Sequence, residues 1–342
     1  MRERLNLARR LVPFGYSTCV RCIGNVEQMD ALAALLDGPR ARGAFMLRTA
    51  WKPPWSLRIE AESPATLLLV ARGHLWISPD DAPPVRLEAG DVAITRAPDH
   101  YTVSDDPHTP YDIVIDRGQQ CRTVGGEPLD EVMSLGVRSW GSHADGETVM
   151  MVGAYGSIGE VGDRLVRALP PVVWMRQDEW DSPLLPLLCD EVLRDEPGQT
   201  AVLDRMLDLV VISFLRTWFA RPDAEPPVWY AAQGDPVVGR ALRLIQNNPA
   251  EPWTIATIAS ETGVSRAVLA RRFNELVGEP PMSFLTGWRL DLAADLLRRD
   301  DMTIGAIAQR VGYSSPYALS TAFKRERGIS PSQHRDLAAA TI

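Results

Sequence analysis

Between Thr254 and the C-terminus one short pattern is written twice, and few folds can hold both copies. TIATIASETGVS followed by RAVLARRFNELVGEPP returns as TIGAIAQRVGYS followed by SPYALSTAFKRERGISP. Thr254, Ile255, Ile258, Ala259, Gly263 and Ser265 reappear as Thr303, Ile304, Ile307, Ala308, Gly312 and Ser314. After a one-residue insertion, Leu269, Phe273, Gly278 and Pro281 reappear as Leu319, Phe323, Gly328 and Pro331. Ile255, Ile258 and Ala259 stand at i, i+3, i+4, the apolar face of a short helix. Gly263 or Gly312 ends that helix with a residue that tolerates positive φ. Ser265 or Ser314 is expected to cap a second helix whose buried stripe is Leu269 and Phe273, or Leu319 and Phe323. Each copy therefore reads as a helix-turn-helix, over about 254–277 and 303–327, with its second helix projecting outward.

At about 100° per residue, an inward Leu269 and Phe273 leave Ala267, Ala270, Arg271 and Asn274 outside. The matching positions of the second copy are Tyr317, Ser320, Thr321 and Lys324. Small, hydrogen-bonding and basic groups on one face suit a helix in a DNA major groove; two ordinary helical hairpins with solvated faces are the plainer alternative. Between the copies, SFLTGWRLDLAADLLRR has apolar residues at helical period, so one helix of roughly 20 residues is expected from about Pro280 to Arg299. Such a helix spans about 30 Å, near one turn of B-DNA, so one monomer can reach two successive major grooves.

The stretch from about Pro236 to Arg335 resembles the DNA-binding domain of AraC/XylS-type bacterial transcription regulators. The likeness is carried by the G-V-S turn, by Leu269, Arg271 and Phe273 as L-x-R-x-F, and by W-R-L with Arg289. The second copy adds G-Y-S, A-F-K-R and G-I-S-P, ending at Arg335. The resemblance implies base reading by Ala267, Ala270 and Arg271, and then by Tyr317, Ser320 and Thr321; Arg266, at the start of the first reading helix, is expected to share the role of Arg271. Phosphate contacts are expected at Arg289, Lys324 and Arg325. His334 departs from the family, which usually has an aromatic there; an effect on packing rather than on DNA reading is expected.

A charge of −8 over 342 residues looks wrong for a DNA binder until it is divided along the chain. After Tyr230 there are 13 Arg or Lys against 11 Asp or Glu, so the preceding part carries the whole acidic excess. Lys52 and Lys324 are the only lysines. Cys19, Cys22, Cys121 and Cys189 form no complete metal framework, and the lone C-x-x-C is half a zinc site at best. A reducing compartment, as a DNA-binding protein implies, argues against disulfides. No apolar run reaches the roughly 18 residues of a membrane span. Residues 1–28 are basic at the start but interrupted by Pro13, Gly15 and Arg21, and read as a disordered tail or an upstream-start extension, with organised sequence from Met29.

From about Ala44 to Ile115, runs such as TLLLVARGHLWIS, PPVRLEAGDVAIT and DIVIDRG are short, β-rich and broken by Gly, Pro and Asp, which suggests a barrel or jelly roll. Gly73-His-Leu-Trp-Ile and L-E-A-G-D-V-A-I, ending near Pro98 and His100, resemble the cupin barrel, similar to the ligand-sensing domains of the family. With no H-x-H element, no metal or other cofactor is expected. An effector pocket is assigned to Trp55, Trp76 and His100, with Trp51 beside them; core packing is the commoner use of Trp. PLLPLLCDEVLRD and TAVLDRMLDLVVISFLRTWFA read as two helices, the second apolar around most of its circumference. It can pack on the barrel and on a second subunit, or be buried within one. RPDAEPPVWYAAQGDP then marks a linker.

The fold expected is α+β: a cupin-like sensing and dimerisation domain over 29–220, a linker over 221–235, and an all-α reader over 236–342. The leading function is a cytoplasmic, sequence-specific regulator of transcription, with double-stranded DNA, a small-molecule effector, a second copy of the chain and, for an activator, RNA polymerase as partners. The alternatives are a reader fused to a cupin enzyme or to a DNA-repair alkyltransferase, and an architectural DNA binder. Neither the missing H-x-H nor the scattered cysteines favour an enzyme, and an architectural protein has no need of a sensor-like barrel.

Overall fold

The computed structural model describes residues 45–222, 224, 226–298 and 302–340. The expectations for residues 1–28, for the start at Met29 and for Cys19 and Cys22 lie outside them.

Two sheets form the amino-terminal body. The strands are β1 (Phe45–Trp51), β2 (Ser56–Ile59), β3 (Ala65–Arg72), β4 (His74–Pro79), β5 (Val85–Glu88), β6 (Val92–Arg96) and β7 (Tyr101–Ser104). They are followed by β8 (Ile113–Ile115), β9 (Cys121–Thr123), β10 (Ser134–Gly136), β11 (Ser139–Gly141), β12 (Thr148–Ala154) and β13 (Val172–Met175). One sheet has the order β10-β11-β1-β12-β3-β6-β13 and the other β5-β4-β7-β2-β8-β9. The strand region thus runs past Ile115 to Met175, further than the composition of the early runs suggests.

The apolar run of β3 is explained by burial on both faces. Leu68 and Val70 point into the barrel with Trp51, Leu75, Ile77, Val103 and Met150. Leu67 and Leu69 point outward, against a layer of helices. That layer comprises α1 (Gly159–Val166), α2 (Leu184–Val192) and α3 (Gln199–Phe219). At Gly153 of β12 a Cβ would come within 2.7 Å of both Leu207 of α3 and Met46, so the glycine lets α3 lie close on the sheet.

The stretch expected as a linker is largely folded. It holds α4 (Val228–Ala231) and a 3-10 turn, with Trp229 buried and Tyr230 against Phe219 at 4.2 Å between ring centroids. Through Trp229 the apolar core continues from α1–α3 into the next helices, α5 (Val238–Asn247), α6 (Ile255–Glu261) and α7 (Arg266–Val277). It reaches Phe284 and Trp288 of α8 (Pro281–Leu297). A separate core is built from Leu290, Ala293, Ala294 and Leu297 of α8 with α9 (Ile304–Arg310) and α10 (Pro316–Arg327). Helix α11 (Pro331–Ala340) follows. Helix α8 has 17 residues, about 26 Å.

The body and the carboxy-terminal half also meet through charge. Helix α1 has no side-chain cap of its own at Ile158. Instead Asp295 of α8 accepts from the backbone N–H of Glu160 at 2.7 Å and lies 3.5 Å from that of Val161. An anion there also meets the positive end of the helix dipole. Arg164 donates to Glu279 at 2.8 Å and stands 4.8 Å from the centroid of the Phe284 ring. Burial pushes the carboxyls of Asp291 and Asp295 up to about 6, outweighing for Asp291 the guanidiniums of Arg327 and Arg164, and for Asp295 the backbone donors and Arg298.

Two stability predictions follow from this packing. Gly263 and Gly312 both sit at positive φ, +72° and +86°, but only at Gly312 would a Cβ meet neighbours, at 2.7 Å from the carbonyl oxygen of Pro249. Gly263→Ala should cost about 1 kcal/mol and Gly312→Ala clearly more in urea melts; equal costs would refute the clash. Asp295→Ala leaves two N–H groups uncapped and should cost about 1–3 kcal/mol, and Asp295→Asn less, since it keeps an acceptor. Because the folded pKa of Asp295 is raised from 3.8 to about 6, its contribution is fully present below about 4 and is lost as pH rises through 6. Wild type should therefore lose stability relative to Asp295→Asn between those pH values, as melts at stepped pH will measure.

Candidate nucleic-acid interface

The two copies fold alike down to single hydrogen bonds. After α6, Gly263 N–H bonds the carbonyl of Ser260 at 3.1 Å and Val264 N–H that of Ala259 at 3.0 Å. After α9, Gly312 N–H bonds Gln309 at 3.1 Å and Tyr313 N–H bonds Ala308 at 2.8 Å. This paired closure requires a left-handed residue one position beyond the helix cap, and glycine supplies it. Thr254 and Thr303 cap the first helices through the N–H groups of Thr257 and Ala306. Ser265 caps α7 as expected. In the second copy the cap of α10 is Ser315, not Ser314, because the inserted residue lengthens the turn and Pro316 takes the first helical position.

Leu269 and Phe273 of α7, and Leu319 and Phe323 of α10, are fully buried. Each such side chain contributes about 2–3 kcal/mol, enough to fix which faces of α7 and α10 turn outward. On α7 that face holds exposed Arg266, Ala267, Arg271 and Asn274, with Ala270 half-buried. On α10 it holds Tyr317, 81% exposed, with Thr321, Lys324 and Arg325 exposed and Ser320 half-buried. Arg271 donates to Glu275 at 3.1 Å, an exposed i,i+4 pair worth about 0.3–0.5 kcal/mol, which a stronger acceptor displaces. Arg325 is similarly paired with Glu326 at 3.1 Å.

Arg289 is placed differently. Its Nε donates to the carbonyl of Pro249 and its Nη2 to that of Glu251, both at 2.7 Å. It ties α8 to the turn before α6 rather than extending to solvent. Arg272 donates to Asp235 at 2.9 Å, and Asp235 also accepts from the N–H groups of Val237 and Val238, fastening α5 to α7. His334 packs edge-on against Phe323, with centroids 5.4 Å apart, on the buried side of α10. Burial, ahead of the charge on Arg298, pushes its imidazole pKa down.

The barrel contains a cavity of about 350 Å³. Its walls are mostly apolar, with Leu57, Leu68, Val103, Trp140 and Met150, and its polar groups include Tyr101 and Arg138. Trp55, Trp76 and His100 do not line it. Trp55 stacks on Trp51 at 5.4 Å, and Trp76 alternates with the inward Leu75 and Ile77 of β4 and so points out of the barrel. Trp140, which sequence reasoning missed, stands edge-on to Trp51 at 5.3 Å. Arg138 adopts φ of +43° and bonds Gln199 and, at 3.2 Å, Thr200 at the start of α3. Cys121 also lines the cavity, and burial together with Asp130 pushes its thiol pKa up to about 12.

Comparison with known proteins agrees with both halves. A cupin family matches residues 30–220 and a helix-turn-helix domain family residues 258–336. An AraC-like transcription regulator of Streptomyces lividans is 31% identical over 316 residues, covering 90% of this chain and 98% of that protein. The HTH-type transcriptional regulator AlkR of Acinetobacter baylyi is 27% identical over 313 residues, covering 90% and 99%. Among solved structures, the DNA-binding domain of AdpA in complex with a target DNA is 31% identical over 31% of this chain and 96% of that one, with a TM-score of 0.30. The two family matches and the Streptomyces lividans relative place the chain in the AraC-type family of transcription regulators, with a cupin domain ahead of its DNA-binding domain.

Proposed function

We propose that α7 and α10 read base edges in two successive major grooves, and that a small molecule in the barrel cavity sets how well they do so. The observation that carries the first part is the open outward face of both helices, equivalent in the two copies. Arg271 is the strongest reader, since a guanidinium can bond a guanine bidentately, with Arg266 beside it. Ala267 and Ala270 allow close approach. Tyr317, Ser320 and Thr321 offer less directional bonds, so the second helix depends more on thymine-methyl contact and on phosphate anchoring by Lys324 and Arg325. Arg289, occupied by two carbonyls, is left out of the phosphate set.

The cavity size and its apolar walls fit an effector that is mostly apolar and carries a polar group for the Arg138 side. An effector there would touch the residue that holds the start of α3. On the outer side of α2 and α3, Leu187, Leu193, Val202 and Leu209 are each 45–58% exposed. A second copy of the chain covering this face explains so much exposed apolar surface, making the regulator a homodimer. Binding favours one arrangement of subunits or domains only if the effector prefers it. Control of transcription, in the cytoplasm and through RNA polymerase where it activates, requires no catalytic group. Against the alkyltransferase alternative, the raised thiol of Cys121 is a poor nucleophile.

Arg271→Ala should weaken binding by about 1–3 kcal/mol and relax preference at one or two adjacent base pairs. Titration against a panel of single-base variants measures this; a uniform loss across all sequences would make Arg271 a phosphate contact. Leu209→Asp should convert the full chain from dimer to monomer in sedimentation at tens of micromolar. A dimer that survives the substitution places the interface elsewhere.

A further inference from the structure

The two reading units are attached to the amino-terminal body in different ways. The first is continuous with it, because one apolar core runs from α1–α3 through α5, α6 and α7 to Trp288. The second has its own core, beginning at Leu290 of the same helix α8. Among the described residues, the polar contacts that bind the body to this second unit and to the carboxy-terminal half of α8 converge on α1 and on Ser157 just before it, which accepts from Arg298 at 3.4 Å. Glu160 of α1 accepts from Arg298 at 2.8 Å through Oε1 and pairs with Arg327 at 2.9 Å through Oε2. Arg327 is the last residue of α10 and also donates to Asp291 at 2.7 Å, while Asp295 caps α1.

These side chains are largely enclosed: Glu160, Arg327 and Asp291 retain 17–21% side-chain exposure. Burial opposes the charge on Glu160, but the hydrogen bond and charge of Arg327, with Arg298, hold its carboxyl below the ordinary range. A charge-assisted network so shielded from water is geometrically strict. It takes hold of α10 at its carboxy-terminal end, where Arg327 also lies 5.5 Å from the centroid of the Phe323 ring: Tyr317, Thr321 and Lys324 stay exposed, and among the described residues Arg271 bonds only within its own helix. The body thus holds the second reader without covering either reading face.

We infer that Glu160 is a positioning residue for DNA reading: from the body it fixes the second reader, α10, relative to the first, through Arg327 and Arg298. The first reader moves with the body as one piece, and the second is the part whose placement the body sets. Fixing it in advance removes an ordering cost that binding to a two-part site must otherwise meet. This rests on the DNA-reading function proposed above, and a change on the body side that shifts α1 would reach the second reader through these bonds.

The test uses the full chain with Glu160→Gln, with Arg327→Gln, and with both. In hydrogen exchange, amides of α10 should exchange about tenfold faster in each variant, as expected for the loss of one buried charge-assisted bond, with α7 unchanged. On a duplex selected from random DNA by the wild-type chain, Glu160→Gln should bind about tenfold more weakly. On the same duplex with the second half-site scrambled it should match wild type, and the double variant should be no worse than either single one. Unchanged exchange in α10, equal weakening on both duplexes, or tighter binding to the two-part site would each overturn the inference. If the wild-type chain selects no sequence at all, the DNA-reading function fails, and the exchange measurement still decides whether Glu160 holds α10.

Discussion

Helix α8 has almost no water-facing side: of its 17 residues only Ser283 is exposed. A helix with so little exposure must be covered on every side, and here each side is covered by something different. Phe284, Leu285 and Trp288 complete the core shared with the barrel's helices, whereas Leu290, Ala293, Ala294 and Leu297 begin a second core. The separation of the two readers is therefore a property of one helix of about 26 Å. Asp291 and Asp295, the acidic residues on this helix, are spent on the junction with α1 rather than on solvent.

Apolar burial and charge divide the work at that junction. The core through Trp229 and Trp288 supplies area and is indifferent to small rotations. The contacts of Glu160, Asp295, Arg298 and Arg327 add little net stability for their number, because burying charge costs nearly what pairing returns. Their value is direction, since each bond is satisfied in one arrangement of α1, α8 and α10. A regulator needs this combination, an attachment firm enough to transmit a displacement and made of bonds that a modest bias can rearrange.

Much of this was legible in the sequence because it is local. The repeat placed both helix-turn-helix units, both positive-φ glycines and the buried pairs Leu269–Phe273 and Leu319–Phe323. The cap slipped by one residue, to Ser315, where the insertion lengthened the turn. What the local pattern does not show depends on distant contacts. Trp55 and Trp76 were assigned to the cavity by residue type, although alternation with Leu75 and Ile77 already turns Trp76 away from the barrel interior. Trp140 reaches the cavity through a parallel pairing of β1 with β11, across nearly a hundred residues, which no local pattern reveals. Arg289 has the residue type of a phosphate ligand, but the carbonyls of Pro249 and Glu251, from the turn before α6, hold its guanidinium. Asp295 is a legible exception: it lies within the apolar run LDLAADLL, and a carboxylate there needs a partner from outside its own helix.

Regulation through α10 requires two readers entering the same face of the duplex from one chain. Hydroxyl-radical footprinting of the full chain, on a duplex it selects from random DNA, tests that most directly. Two protected major-groove segments about 10 base pairs apart for each monomer are expected. One protected segment per monomer would contradict simultaneous insertion and leave α10 without the role given to it here.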